Sequence, residues 1–178
     1  MIIRGRALVF GNNVNTDELH PSRFFSLDDR TVRSGFLQAA AGYEQVGSGD
    51  VAGRIVIAGD NFGCGSSRET GARAFLLAGV RAVVARSLAR IFSRNVRNLG
   101  LPALECPSLP ALAPDVEIEI EVAAGRLRVV GAGDELPLAP LDPFWTAVLA
   151  AGGLLPFLGI AEPAQPPGRG LPVIQGAP

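Results

Sequence analysis

Residues 59–69 read Gly-Asp-Asn-Phe-Gly-Cys-Gly-Ser-Ser-Arg-Glu. Three glycines (Gly59, Gly63, Gly65), two adjacent hydroxyls (Ser66, Ser67) and a guanidinium (Arg68) fall in this one stretch. Glycine admits positive φ and lets the backbone come close to a ligand. The free N–H groups in a helix's first turn favour an anion, and an arginine adds a planar fork matched to carboxylate or phosphate. Together these residue types suggest a small anionic ligand held at a helix N-terminus, with a serine aimed at it. The same text serves a plainer purpose as well. Ser66-x-x-Glu69 satisfies a capping box, and Asn61 or Ser66 could cap a helix while the glycines make a tight turn. Capping and ligand binding coexist, because a cap presents the same N–H groups.

Elsewhere the chain is sparing with reactive side chains. It has two cysteines, Cys64 and Cys106, and one histidine, His20. An iron–sulfur cubane takes at least three protein thiolates in general, so this chain alone is not expected to hold one. No metal ligand set is expected within it either. Cys64 sits beside the expected helix N-terminus, where a thiol becomes more acidic, or it is a small packing residue. With 178 residues, 48% hydrophobic, 19% charged and a net charge of −1, the chain suits one compact domain with a real core. That charge balance excludes an electrostatic nucleic-acid binder. The apolar runs are broken by Arg, Gly or Pro well short of a membrane span. Residues 1–4 lack the apolar region of a signal peptide, so a cytoplasmic protein is expected.

These motifs need elements to position them. The pattern predicts strands over residues 6–10, 54–58, 82–85, 103–106 and 116–122. It predicts a hairpin return over 126–130, with Gly125 at the turn. Helices are predicted over 31–41, 67–78, 88–99 and 144–150, several of them stopped by glycine. Residues 12–23 read as an Asn/Asp-rich loop with Pro21. A single domain is expected over 1–160, with a Pro/Gly-rich tail over 161–178. Strand–helix units followed by a hairpin point to α/β with a mixed sheet.

The glycine loop resembles the small subunit of the isopropylmalate isomerase family, the detached swivelling domain of aconitase-like hydro-lyases. The matching text is Asn61-Phe62-Gly63-Cys64-Gly65-Ser66-Ser67-Arg68-Glu69. Upstream, Asn15-Thr16-Asp17 followed by Pro21-Ser22-Arg23-Phe24 resembles the family's N-terminal motif. Downstream, residues 81–95 and Gly100-Leu101-Pro102 resemble a third block, in the family's order and spacing. The resemblance implies a swivelling β/β/α barrel-like domain with flanking helices. It also implies a large aconitase-like partner subunit that carries a 4Fe–4S cluster, and a small hydroxy-dicarboxylate substrate.

The implied chemistry moves a hydroxyl by removing water and adding it back across a double bond. A base must take a poorly acidic proton next to a carboxylate, and a Lewis acid must help hydroxide leave; the family's cluster iron does the latter. By resemblance Ser66 is the base, stabilised as an alkoxide by the helix N-terminus and by Arg68. Ser67, Arg68 and Gly65 hold a substrate carboxylate. Asp17 supports the site by pairing with a histidine of the large subunit, or else it serves an Asx-type turn. Asn95 matches a family asparagine and equally suits a helix–loop hydrogen bond. His20 reads as a loop or interface residue, and Arg94 and Arg97 as solvated helix surface.

Specificity is implied for Phe24, Phe25, Ser26 and Leu27, whose family counterparts contact the variable group. Apolar residues there favour an alkyl group, unless Arg23 or Arg30 turns inward. Two departures from the leucine-pathway text stand out: Thr70-Gly71-Ala72 replaces the usual His-Ala-Pro, and residues 34–50 are atypical. The departures leave the reacting residues intact, and the resemblance implies isomerisation of 2- and 3-isopropylmalate in leucine biosynthesis. A dimethylmalate, citramalate/methylmalate or homoaconitate type of hydro-lyase is the alternative, and a non-catalytic assembly subunit is the alternative of another class. A nucleotide-binding loop ranks low, because the P-loop lysine and spacing are missing.

Overall fold

A computed structural model describes residues 1–43, 50–133 and 135–161. Among these residues seven strands form one mixed sheet in the order β4-β3-β2-β1-β5-β6-β7. The parallel half comprises β1 (Ile2–Val9), β2 (Ile55–Ala58), β3 (Ala82–Ala85) and β4 (Ala103–Glu105). The antiparallel half adds β5 (Glu117–Glu121), β6 (Arg126–Val129) and β7 (Glu135–Pro137). Strand β1 belongs to both halves. Residues 2–6 pair with β5 and residues 7–9 with β2.

Both faces of the parallel half are covered, which is why Ile55–Ala58 and Ala82–Ala85 are apolar throughout rather than alternating. Val56, Ala58, Val83 and Ala85 meet the helices through Val32, Ala72, Phe75, Phe92 and Val96. Ile55, Ile57, Ala82 and Val84 pack on the other side with Ile118, Ile120 and Leu127 of the antiparallel half. The sheet therefore curls around an inner core and carries its helices outside, a barrel-like half-turn. The hairpin's outer face is polar. Arg4, Glu119 and Arg128 stand in register across three strands, and hydrogen bonding from Arg4, then from Arg128, holds the Glu119 carboxyl below its usual range.

Helix α2 (Asp29–Ser34) ends well short of the predicted residue 41. Gly35 caps it, and Leu37 takes a positive φ of 62° while its N–H bonds Leu19 O at 2.7 Å. Phe36, Leu37 and Ala40 are nonetheless buried, so their apolar spacing reflects a packed turn. The expected loop over 12–23 holds a short helix, α1 (Thr16–Leu19), and a 3-10 turn (Ser22–Phe24). Helices α3 (Glu69–Leu77), α4 (Arg90–Asn98) and α5 (Pro143–Ala151) lie where predicted. Strand β7 and α6 (Leu154–Phe157) were not foreseen. The expected tail beyond residue 161 lies outside the described residues. Among the described residues no helix is long and apolar enough to cross a membrane.

Candidate active site

The serine loop leaves the carboxyl end of β2, where open α/β sheets place their ligands. It is sandwiched between the loops that follow β1 and β3. On the β1 side, Gly59 N donates to Gly11 O (3.1 Å), Asn13 N to Asp60 O (2.8 Å), Gly63 N to Val14 O (3.0 Å) and Thr16 N to Cys64 O (2.7 Å). Side chains reinforce this seam. Asn61 Nδ2 donates to Asn13 Oδ1 (3.1 Å), and Thr16 Oγ1 donates to Ser66 O (3.3 Å). On the β3 side, Phe62 N donates to Ser87 O and Ala89 N to Phe62 O. Arg86 closes the base of the sandwich by pairing with Asp60 at 2.7 Å and donating to Asn12 Oδ1 at 2.7 Å.

Two glycines are required outright. Gly63 has φ +81°, and a Cβ there would lie 2.3 Å from the Phe92 ring. Gly65 has φ +99°, and a Cβ would lie 2.1 Å from Asn15 Oδ1. Each holds a left-handed backbone where a side chain has no room.

The loop then enters α3. The residue at the cap is Arg68, which makes no side-chain cap bond, so the capping box does not form. Instead, Ser66 Oγ accepts the Arg68 N–H at 3.3 Å. Ser66 and Arg68 are half-buried, while Gly65 and Ser67 are exposed. The Arg68 guanidinium forms an ion pair with Asp17 on the first turn of α1. Asn15 Oδ1 in turn accepts the Asp17 N–H at 2.8 Å and caps that turn. From α4, Asn95 Nδ2 donates to Ser67 O at 3.2 Å. Ser66, Ser67, Arg68, Asp17 and Asn95 thus converge at one end of the sheet. Cys64 Sγ lies 3.4 Å from Asn13 O and helps to close the seam.

Residues 11–109 match the aconitase C-terminal domain family. The chain belongs to that family. It is 41% identical over 161 residues to the 3-isopropylmalate dehydratase small subunit 1 of Methanopyrus kandleri, covering 88% of this chain and 92% of the relative. It is 42% identical to a methanogen homoaconitase small subunit of Methanothermobacter thermautotrophicus, covering 86% and 89%. A solved structure of 3-isopropylmalate dehydratase from Methanocaldococcus jannaschii superposes with a TM-score of 0.78 at 31% identity, covering 89% of this chain and 94% of that one.

Other positions in this aconitase-type domain read differently from expectation. His20 is a core residue, 1% exposed, with Nε2 at 3.0 Å from Val32 O and its ring 6.2 Å from that of Phe24. Phe24 is half-buried, with the Arg23 guanidinium 4.8 Å above its ring. Arg23 is therefore stacked on the loop rather than turned into a pocket. Phe25 and Leu27 project outward. Arg97 is not solvated surface: Nε and Nη2 both bond Ala103 O, tying α4 to β4. The sequence reading missed the roles of Thr16, Asn12, Arg86 and Arg73. Arg86 lay within a recognised block, but its partners sit on segments remote in sequence.

Among the described residues no three His, Cys, Asp or Glu side chains gather to hold a metal. Cys106 is wholly buried, and Cys64 faces backbone carbonyls. These thiols do not fit a cubane cluster, which needs more thiolates than this chain has.

Proposed function

We propose that this chain is the small subunit of a heteromeric hydro-lyase that interconverts 2- and 3-isopropylmalate, a step of leucine biosynthesis, by dehydration and rehydration. The observation that carries the reading is the Ser66 hydroxyl, which accepts the Arg68 N–H at the mouth of α3. A serine is a useful base only as an alkoxide. An N–H bond, a helix N-terminus and an adjacent cation are the groups that stabilise one. Ser66 takes the proton from the carbon next to a substrate carboxylate and returns it on rehydration. Ser67 Oγ, the Gly65 backbone and the Arg68 fork bind that carboxylate. Asp17 orients Arg68, and Asn95 fixes the Ser67 carbonyl so that the loop keeps its direction.

The site lies on an open face, with Gly65 and Ser67 exposed, so something must cover it before water can be excluded. We infer that the cover is a large aconitase-like subunit carrying a 4Fe–4S cluster, a reading supported by the small-subunit names of the relatives. When bound there, the cluster supplies a Lewis acid for the departing hydroxide. Phe25, Ser26 and Leu27 present no cation to the substrate's variable group, and Arg23 is engaged with Phe24. That favours an alkyl substituent over an extra carboxylate. A related substrate (dimethylmalate, citramalate or homoaconitate) is the second reading, because relatives of similar identity carry different names, an isopropylmalate/citramalate isomerase small subunit at 37% and a homoaconitase small subunit at 42%.

The test is anaerobic reconstitution with the large subunit, following alkene absorbance with isopropylmalate, citraconate and dimethylmalate in parallel. Isopropylmalate turnover should require this chain, and Ser66→Ala should lower kcat by about 10²–10⁴-fold. Turnover of another malate alone would move the pathway and keep the chemistry. Full activity of Ser66→Ala in an intact complex would make this chain an assembly subunit.

A further inference from the structure

Arg73 lies on α3, one and a half turns beyond the residue that caps it. Its Nη2 donates to Leu27 O at 3.2 Å, and the same guanidinium pairs with Asp29 in the first turn of α2. One side chain therefore fastens both the end of the 24–27 segment and the start of the helix that follows it. The rest of the segment is self-contained. Phe25 N donates to Ser22 O at 3.0 Å, Asp28 N donates to Ser26 Oγ at 3.0 Å, and Asp28 caps α2 by accepting Thr31 N. Between these anchors two apolar side chains stand free, Phe25 at 62% and Leu27 at 89% exposure. A leucine so exposed is available for an apolar contact that the described residues do not supply.

Resting on the functional reading above, we infer that Arg73 is a positioning residue which locks the Phe25–Leu27 segment to α3 and so sets how bulky an alkyl group the site accepts. The same short helix then serves two ends of the substrate. Its N-terminus and Arg68 address the carboxylate, and Arg73 fixes the segment facing the alkyl group. Rigid registration between them is what allows one branched substituent to be told from a smaller one, since discrimination by methyl-sized contacts is modest and is lost when the wall moves. Both contacts come from one nitrogen, Nη2, whose two N–H groups are held at a fixed angle in the guanidinium plane, whereas the donors of an ammonium rotate freely on a flexible stem. Exposed ion pairs contribute little to global stability, so loss of Arg73 acts on the segment rather than on the fold.

The test uses the complex with its large subunit and compares malates bearing isopropyl and methyl groups. In Arg73→Ala, the ratio of kcat/KM for isopropyl over methyl should fall about tenfold, carried by KM for the isopropyl substrate. Arg73→Lys should fall between Arg73→Ala and wild type, and it serves as the readout if the alanine variant fails to assemble. An unchanged ratio overturns the inference, and so does an equal loss in kcat for both substrates, which is what a merely structural role would give. A wild-type complex that turns over neither malate overturns the functional reading and this inference together. Wild-type turnover that is lost in Ser66→Ala, with selectivity untouched in Arg73→Ala, overturns this inference alone.

Discussion

Asp17 and Arg68 form an ion pair that joins the first turn of α1 to the residue capping α3. The pair spans the two loops that the backbone seam brings together. It fastens the Arg68 guanidinium to α1 before any substrate arrives. Both side chains are partly exposed, so the contact adds little to stability; its value is direction. Hydrogen bonds to charged groups are worth about 1.5–3 kcal/mol. Arg68→Lys, which keeps the charge and loses the fork, should therefore raise KM by roughly tenfold to a hundredfold. If Asp17 acts through Arg68, adding Asp17→Asn to Arg68→Lys should cost almost nothing further in a double-mutant cycle. Steady-state kinetics of the four proteins checks both statements, and fully additive losses would give Asp17 a separate role.

The parallel half of the sheet was legible because short apolar runs bounded by Gly and Arg announce strands buried on both faces, as in Ile55–Ala58 and Ala82–Ala85. The hairpin was legible from strict alternation in Glu117–Glu121. The equally short α1, β7 and α6 were not, since α1 and β7 mix charged with apolar residues and α6 carries Pro156, so none reads as a plain apolar run and none is long enough to show a period. In the site, Ser66–Arg68 stood out through glycine density and hydroxyl pairing. What joins that loop to its surroundings did not. The Asp17–Arg68 pair, the Arg86–Asp60–Asn12 cluster and the Arg73 contacts are each made across dozens of residues. His20 sits in an Asn/Asp-rich stretch that reads as surface, and only packing against Phe24 and α2 makes it core.

Gly63 tests how tightly the serine loop is seated. Its φ of +81° disfavours any side chain, and a Cβ would enter the Phe92 ring at 2.3 Å. Phe92 is itself wedged among Phe62 and Phe75, at centroid distances of 5.6 and 5.5 Å, so it has no free direction to move. Gly63→Ala should destabilise by about 1–3 kcal/mol from backbone strain and overpacking. Thermal or urea unfolding of the isolated chain measures this, and an unchanged midpoint would show that the loop relaxes away from Phe92.

His20 gives the chain a pH dependence whose sign is fixed by burial. The ring is enclosed; burial lowers its pKa below the usual 6.5, and the nearby Arg68 charge acts in the same direction. The neutral ring, with Nε2 donating to Val32 O, is therefore the folded form. On unfolding, the imidazole regains water and takes up a proton below pH 6.5. A lowered folded value means that stability is full above the unfolded pKa and is lost as pH falls from there through the folded one. The loss can reach at most about 1.4 kcal/mol per pH unit, for one proton. This is the chain's one histidine, so its imidazole resonance needs no assignment. That resonance should reach its titration midpoint below that of an exposed imidazole, while urea unfolding should show stability declining as pH falls below about 6.5. A resonance that titrates near 6.5 in the folded protein, together with a flat stability profile, would mean that water reaches the ring and that α1 is not anchored to α2 through it.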